Sequence, residues 1–440
     1  MGRTVSNGPG YAPDDEFDPR IDDFVSKKRE YLHFDLPLEK VERESFRPTE
    51  SNILSNSFWP LIGYKIEERR AKKSDSGELY FDIKERPIKF GSHKDAAIFQ
   101  YYAKSLSEDY ERLLGGRNFA RSVLAYRSGI GNNIDHAKSL FDEIRLRRDC
   151  TALAMDISGF FDNIRHDVLL HSIKETRGVT RLSKVDFYLF ERMTKFEWVE
   201  SADLEQRLGS KYGRAGRICY PKDFRHLVRE RKPSAVHRNP NDWGIPQGTP
   251  LSGLYANISL LKFDQEMTEL VHQFEGSYRR YSDDIAFLLP REIDRDAFMN
   301  GVVSALFTIG LSFSAHKTDI AEFRGGVLSP SDANPFQYLG FTFDGKRTLI
   351  RQSSLTRYYT KMNRGIRAKV RAAKNKKVPS DEIYMRELFR KYTHFGQNRN
   401  FPRYAYRASS VLDAPEIRIQ LRRHMNIFKR MVKRAVGTIY

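Results

Sequence analysis

Cysteine is scarce in this sequence. Its 440 residues include two, Cys150 and Cys219, and neither stands in a CxxC pair or a Cys/His cluster. That excludes a zinc knuckle and a disulfide framework, and it fits a compartment in which thiols stay reduced. Long apolar runs are missing too. The longest fall well short of the roughly 20 residues that a membrane span needs, and the first residues, MGRTVSNGPGYAPDDEFDP, have no apolar centre to serve as a secretory leader. No membrane partner is expected, and a cytoplasmic location is. No internal repeat is visible. Apolar and aromatic residues are not lacking, at 40% and 12%, so the chain is expected to fold around a sizeable core.

Acidic residues run short at one end only. Residues 351–440 hold 23 Lys+Arg against 5 Asp+Glu, which accounts for the whole net charge of +18; the first 350 residues are balanced. The bland alternative is a solvated helical tail. Here, however, the basic residues are interleaved with Tyr and Phe, a mixture suited to phosphate contacts and base stacking. Arg357, Lys361, Arg364, Arg367, Lys369 and Arg371 are the candidate nucleic-acid contacts.

Residues 1–24 are polar and read as a loose segment, and 25–75 as helical pieces broken by Pro37, Pro48 and Pro60. A hairpin is expected around Ser74-Asp75-Ser76-Gly77, with Leu79, Phe81 and Ile83 alternating along one strand. A helix from about Lys94 to Leu114 follows, ended by Gly115-Gly116. Residues 151–157 read as a buried strand, 160–175 as a helix, and 205–243 as a basic, irregular insertion. A Gly/Pro turn at 244–253 leads into a helix through 255–274, and 278–290 read as two strands around a tight turn. After a helix at about 294–309 and a further strand comes the apolar segment 336–345, and from Ser353 onward the pattern is helical.

Acid pairs by themselves mean little, and Asp14-Asp15 and Asp22-Asp23 read as solvated surface pairs. Asp283-Asp284 differs, lying between Tyr281 and the apolar run Ile285–Leu289. Asp156 likewise ends an apolar strand. Burying three carboxylates together is costly, because each desolvated charge repels the others. A divalent cation relieves this, and oxygen-only ligands favour Mg²⁺ or Mn²⁺. Two such ions suit an in-line phosphoryl displacement. The alternative is a carboxylate cluster neutralised by Arg279 and Arg280.

With these residues in place the sequence resembles the reverse transcriptases. Six segments occur in that family's order across roughly residues 80–350. Asp156-Ile157-Ser158-Gly159-Phe160-Phe161-Asp162, Pro246-Gln247-Gly248-Thr249-Pro250-Leu251-Ser252 and Tyr281-Ser282-Asp283-Asp284 are similar to three palm motifs. Gly310-Leu311 through Lys317-Thr318 resembles a fourth, Tyr338-Leu339-Gly340-Phe341 a primer grip, and Arg86-Pro87-Ile88 with Asp95 and Gln100 a fingers block.

The resemblance implies an α+β right-hand polymerase fold: fingers, an antiparallel-sheet palm with an RRM-like core, and a basic helical thumb. It divides the chain into fingers at 25–145, palm at 146–325, a primer-grip hairpin at 326–350 and a thumb at 351–440. It implies that Asp156 and Asp283 hold two Mg²⁺, with Mn²⁺ as a substitute, together with the Ile157 carbonyl, and that Asp284 supports them. Lys317 would protonate pyrophosphate. Arg86 and Lys89 would reach the triphosphate, and Gln247 and Gly248 would lie against the incoming nucleotide. Phe161 would exclude a 2′-hydroxyl, against the alternative of plain core packing. Tyr338, Leu339, Gly340 and Phe341 would steer the primer end. The implied partners are a structured non-coding RNA template, an RNA/DNA duplex and deoxynucleoside triphosphates.

Residues 122–129 and 399–407 are similar to bacterial retron and abortive-infection types, which implies a stand-alone enzyme of anti-phage defence. No Cys/His cluster marks a mobile-intron nuclease, and no acidic set after residue 350 marks an RNase H domain. A retron or group II intron enzyme serving its own element, a vestigial RNA-binding scaffold and an RNA-making polymerase are the competing readings.

Overall fold

The computed structural model describes residues 31–73, 77–314, 318–395 and 400–439. β1 (Leu61–Lys73) and β2 (Leu79–Phe90) form a long antiparallel hairpin in which Ile62 faces Phe90 and Lys73 faces Leu79. The expected turn residues Ser74, Asp75 and Ser76 lie outside the described residues. Among the described residues the helical reading of 25–75 holds for two five-residue helices, Lys40–Glu44 and Glu50–Leu54. Beyond Pro60 the alternation of Ile62, Tyr64 and Ile66 has the period of a strand, and a strand forms. Leu79 and Ile83, apolar though they are, stand 74% and 48% exposed at the far end of the hairpin.

The central sheet is antiparallel with five strands. In it β3 (Cys150–Asp156) lies between β7 (Asp284–Pro290) and β8 (Asp319–Arg324), while β6 (Ser277–Tyr281) and β9 (Val327–Ser329) form the edges. Both faces are covered, which explains the near-continuous apolar reading of β3 and β7. Leu153, Met155, Ile285 and Phe287 join a core with the helices His93–Gly115, Leu261–Gln273 and Arg295–Thr308. Cys150, Ala152, Ala286 and Leu288 turn the other way. They pack with the helix Asn133–Arg147 and with a small sheet of β10 (Phe336–Tyr338), β11 (Phe341–Phe343) and β12 (Thr348–Ile350).

A strand just before the expected insertion extends the first hairpin, and the insertion supplies the strand beyond it. β4 (Glu197–Glu200) lies parallel to β1 and pairs with β5 (His237–Arg238), over a core of Phe34, Ile62, Leu204, Phe224 and Val228. Two expected helices are each split. The first breaks between Phe160–Asn163 and His166–Arg177, where the Phe161 and Ile164 carbonyls accept the N–H groups of Ile245 and Gly244 at 2.9 and 2.8 Å. The second breaks between Ser252–Ile258 and Leu261–Gln273, where the Ser259 hydroxyl donates to the Ala256 carbonyl at 2.8 Å and competes with the helix ladder.

The C-terminal region is helical as expected. Helix Gln352–Asn375 buries Leu355, Tyr358, Met362, Ile366 and Val370, one stripe at helical spacing. Most of that stripe packs with Leu388, Phe428 and Ala435. Lys361, Arg364, Arg367 and Arg371 are exposed on the remaining face. No helix among the described residues is long and apolar enough to cross a membrane.

Candidate active site

Asp156 ends β3 directly opposite Asp284, the first residue of β7, and Tyr281 of β6 faces Asp284 from the other side. Ser282 and Asp283 therefore form a two-residue turn. Ser282 has φ +60°, which a primed hairpin turn demands and which a non-glycine residue adopts only under strain. The Asp283 carbonyl accepts the Ile157 N–H at 3.2 Å and ties the turn to the end of β3. This makes Asp156 and Asp284 a non-hydrogen-bonded pair, the position where opposed side chains on one face come closest. Burial pushes the Asp283 carboxyl above the ordinary range and the charge of Asp156 adds to it, while Arg86 of β2 pulls the other way. Asp156 and Asp284, far apart in sequence, thus face each other across the sheet with Asp283 at the adjoining turn, and the charge of one arginine from the first hairpin reaches Asp283.

Arg279 and Arg280 do not serve as the neutralising pair of the alternative reading. Arg279 donates to Glu143 at 2.6 Å. Arg280 is fully buried, as is Asp264, and the two form a bidentate pair at 2.7 and 2.6 Å. Arg280 also donates to the Asn257 side-chain oxygen at 2.7 Å and to the Ser282 carbonyl at 3.3 Å. Tyr278 donates to Asp264 at 2.6 Å, and Asn257 donates to the Ala125 carbonyl at 2.7 Å. A buried charge network therefore stands directly behind the strained turn and clips residues 122–125 to it. Sequence reasoning missed Asp264 and Asn257. The one available signal was an acid inside the apolar helix stripe Leu261, Asp264, Met267 and Val271.

The segment around Gln247 meets the first hairpin closely. The Lys89 N–H donates to the Gln247 carbonyl at 2.8 Å. A Cβ on Gly248, whose φ is +122°, would lie 2.9 Å from Ile88 Cγ2 and from the Lys89 carbonyl oxygen. At Gly253 a Cβ would lie 2.6 Å from the Tyr126 ring, and that tyrosine accepts a hydrogen bond from Ser282 at 3.3 Å. Glycine is what allows both approaches. Phe160 is buried, whereas Phe161 beside it is partly exposed. Lys89 sits over the rings of Trp198 and Phe196, at 5.0 and 5.5 Å.

Tyr338 is buried, with its hydroxyl unpartnered. Burial raises its pKa; Arg279 opposes this, and Asp284 and Tyr281 add to it. The β10–β11 hairpin thus comes beside the carboxylate turn. Leu339 and Gly340 both have positive φ, +45° and +89°, as a tight primed turn requires. Lys317 lies outside the described residues. In the tail, Lys369 pairs with Glu387 at 3.4 Å.

Among the described residues no group of three or more His, Cys, Asp or Glu side chains is gathered to hold an ion. The donor set still fits Mg²⁺, which keeps several waters and binds through one or two carboxylates plus substrate phosphates. The raised Asp283 carboxyl beside Asp156 marks where added positive charge would be most favourable.

A profile described as reverse transcriptase (RNA-dependent DNA polymerase) matches residues 121–343. No curated protein matches the sequence. Among solved structures, the chain is similar to apo telomerase from Candida tropicalis truncated from its C-terminal domain, at 12% identity and a TM-score of 0.41, covering 66% of this chain and 57% of that one. It is also similar to telomerase from Candida albicans in complex with a fragment of telomeric RNA, at 10% identity and a TM-score of 0.41, covering 88% of this chain and 63% of that one. The chain thus spans about three fifths of the length of these solved chains.

Proposed function

The chain belongs to the reverse transcriptase family, and we propose that it copies an RNA template into DNA by adding deoxynucleotides to a primer 3′-hydroxyl. The observation that carries this is the pairing of Asp156 with Asp284 across β3 and β7, with Asp283 at the adjoining turn. Asp156, Asp283 and the Ile157 carbonyl would hold a Mg²⁺ pair, or Mn²⁺, with Asp284 in support. When bound, the metal supplies Lewis-acid chemistry, activating the attacking hydroxyl and neutralising the triphosphate.

Arg86, whose charge reaches Asp283, takes the triphosphate. Lys89 is the lesser candidate, because aromatic rings already face its ammonium group. Gln247 and Gly248 lie against the nascent base pair, and Phe161 excludes the ribose 2′-hydroxyl. Tyr338 to Phe341 steer the primer, Lys317 protonates pyrophosphate, and the basic face of the C-terminal helices grips the duplex. The fingers span 25–145, the palm 146–325, the primer-grip hairpin 326–350 and the thumb 351–440. The likeness of residues 122–129 and 399–407 to bacterial retron and abortive-infection types favours a cytoplasmic enzyme of anti-phage defence working on a structured non-coding RNA.

Asp283→Ala with Asp284→Ala is expected to abolish nucleotide incorporation while circular dichroism and RNA binding stay unchanged; retained incorporation would overturn the assignment. Phe161→Ala is expected to admit ribonucleotides, read as the ratio of kcat/KM for the two sugars. An unchanged ratio removes Phe161 from the gate.

A further inference from the structure

A cavity of about 260 Å³ opens between residues 121–124, the start of helix Asn133–Arg147 and β6, lined by Arg121, Ser122, His136, Ser139, Ser277 and Arg279 among others. His136 is only 6% exposed, yet its Nε2 has no hydrogen-bond partner. A buried ring nitrogen left unpaired is costly unless something arrives to meet it. Arg279 is held in place by Glu143 at 2.6 Å, with the Ser277 and Ser139 hydroxyls at 3.3 and 3.4 Å. Glu143 is shared with Arg147 at 2.8 Å and accepts the Ser277 hydroxyl at 2.8 Å, and Asp135 is the acid whose charge reaches His136; the lining itself carries two guanidinium groups and no carboxylate. Arg121 is exposed at its edge.

The position of the cavity narrows the choice of ligand. Residues 277, 279 and 281 alternate onto the face of the sheet that carries Asp284, because Tyr281 is paired with Asp284. The Tyr281 ring lies 6.0 Å from that of His136. The cavity therefore flanks the carboxylate turn on the side where Asp156 and Asp284 project. Two guanidinium groups, the Ser122 and Ser139 hydroxyls and one uncommitted imidazole nitrogen together make a donor-rich set of the kind that binds a tetrahedral oxyanion.

We propose that this cavity binds a phosphate oxyanion, a backbone phosphodiester of the nucleic-acid strand lying along β6, through Arg121, Arg279 and the Nε2–H of His136. The source of the phosphate rests on the polymerase reading; the chemistry of the cavity does not. In this role His136 and Arg121 fix the strand at a set distance from the carboxylate turn.

The test measures affinity of the full chain, by fluorescence anisotropy, for primer–template duplexes carrying one neutral methylphosphonate at a time. One position is expected to weaken binding roughly tenfold, the loss of one charge-assisted contact. Arg121→Ala, at an exposed residue that does not threaten the fold, is expected to weaken binding of the unmodified duplex by the same factor. It should lose nothing further at that one position, and Arg121→Lys should recover part of the loss. His136→Phe, which keeps a ring but has no donor, should behave like Arg121→Ala, and His136→Gln should recover part of the loss. Additive losses at every position would overturn the proposal. If inorganic phosphate shifts the His136 ring resonances and duplex cannot displace it, the strand is overturned as the source. The incorporation assay on the Asp283→Ala, Asp284→Ala chain is read independently, so failure of the polymerase reading and failure of the cavity are distinguishable.

Discussion

Arg280 and Arg364 carry the same guanidinium in opposite surroundings. Arg280 is fully buried behind the carboxylate turn, and its donors are met by Asp264, Asn257 and the Ser282 carbonyl. Arg364 is exposed on the C-terminal helix, alongside Lys361, Arg367 and Arg371, with the apolar stripe of that helix turned away from them. Inside the sheet the charge has one geometry, enforced by a partner that is equally buried. On the helix the charge has many geometries, and salt screens it. Fixed charge suits the shaping of a strained turn, and loose charge suits the holding of a backbone whose sequence varies.

The largest effect follows from breaking the buried pair on one side only. Asp264→Ala leaves the Arg280 guanidinium buried without its counter-ion, and about 3–5 kcal/mol of stability should be lost in urea unfolding. Replacing both partners, Arg280→Met with Asp264→Leu, should restore part of that stability, because no unpaired charge is then buried, while the Tyr278 hydroxyl and the Asn257 amide oxygen lose their partners. The same double variant no longer has a donor for the Ser282 carbonyl. Its kcat is therefore expected to stay depressed while its KM for nucleotide changes little. Full recovery of kcat along with stability would show that the network only fills space, and the contrast with the tail would lose its meaning.

How far the sequence reveals this arrangement depends on how local each signal is. The turn at Ser282-Asp283 is legible because an acid pair stands at the head of a continuous apolar run of strand length, Ile285–Leu289, and that is visible over a few residues. Helix Gln352–Asn375 is legible for the same reason at helical period. The Arg280–Asp264 pair is not, because a charge inside a strand names no partner, and the Asp264 carboxylate reads as one more polar residue on a helix. The surroundings of Lys89 are not legible either. The residue reads as a cation for a triphosphate, and only the pairing of β1 with β4 brings Trp198 and Phe196 beneath it. The split at Ile164 escapes notice because the bonds that cause it come from residues 244–245, far along the chain, and the split at Ser259 because a serine in a helical run does not reveal that its hydroxyl turns back on the backbone. Exposed Leu79 and Ile83 show the converse limit: alternation predicts a strand without saying that anything covers its apolar face.

The smallest change in stability should come from the tail, and it sharpens the contrast most. Arg364, Arg367 and Arg371 lie on an exposed face, so replacing each by alanine should alter unfolding free energy by no more than about 0.5 kcal/mol. In the proposed role their effect belongs in binding. Each phosphate contact releases condensed counterions, so log K against log salt should flatten by about 0.9 for every contact removed. The triple variant should bind an RNA/DNA duplex more weakly at low salt and converge with the native chain as salt rises, whereas the Asp264 variant should keep the native slope. Parallel salt lines for the triple and native chains would mean that the basic face meets something other than a nucleic-acid backbone. The tail would then be a solvated surface, and the two uses of arginine in this chain would reduce to one.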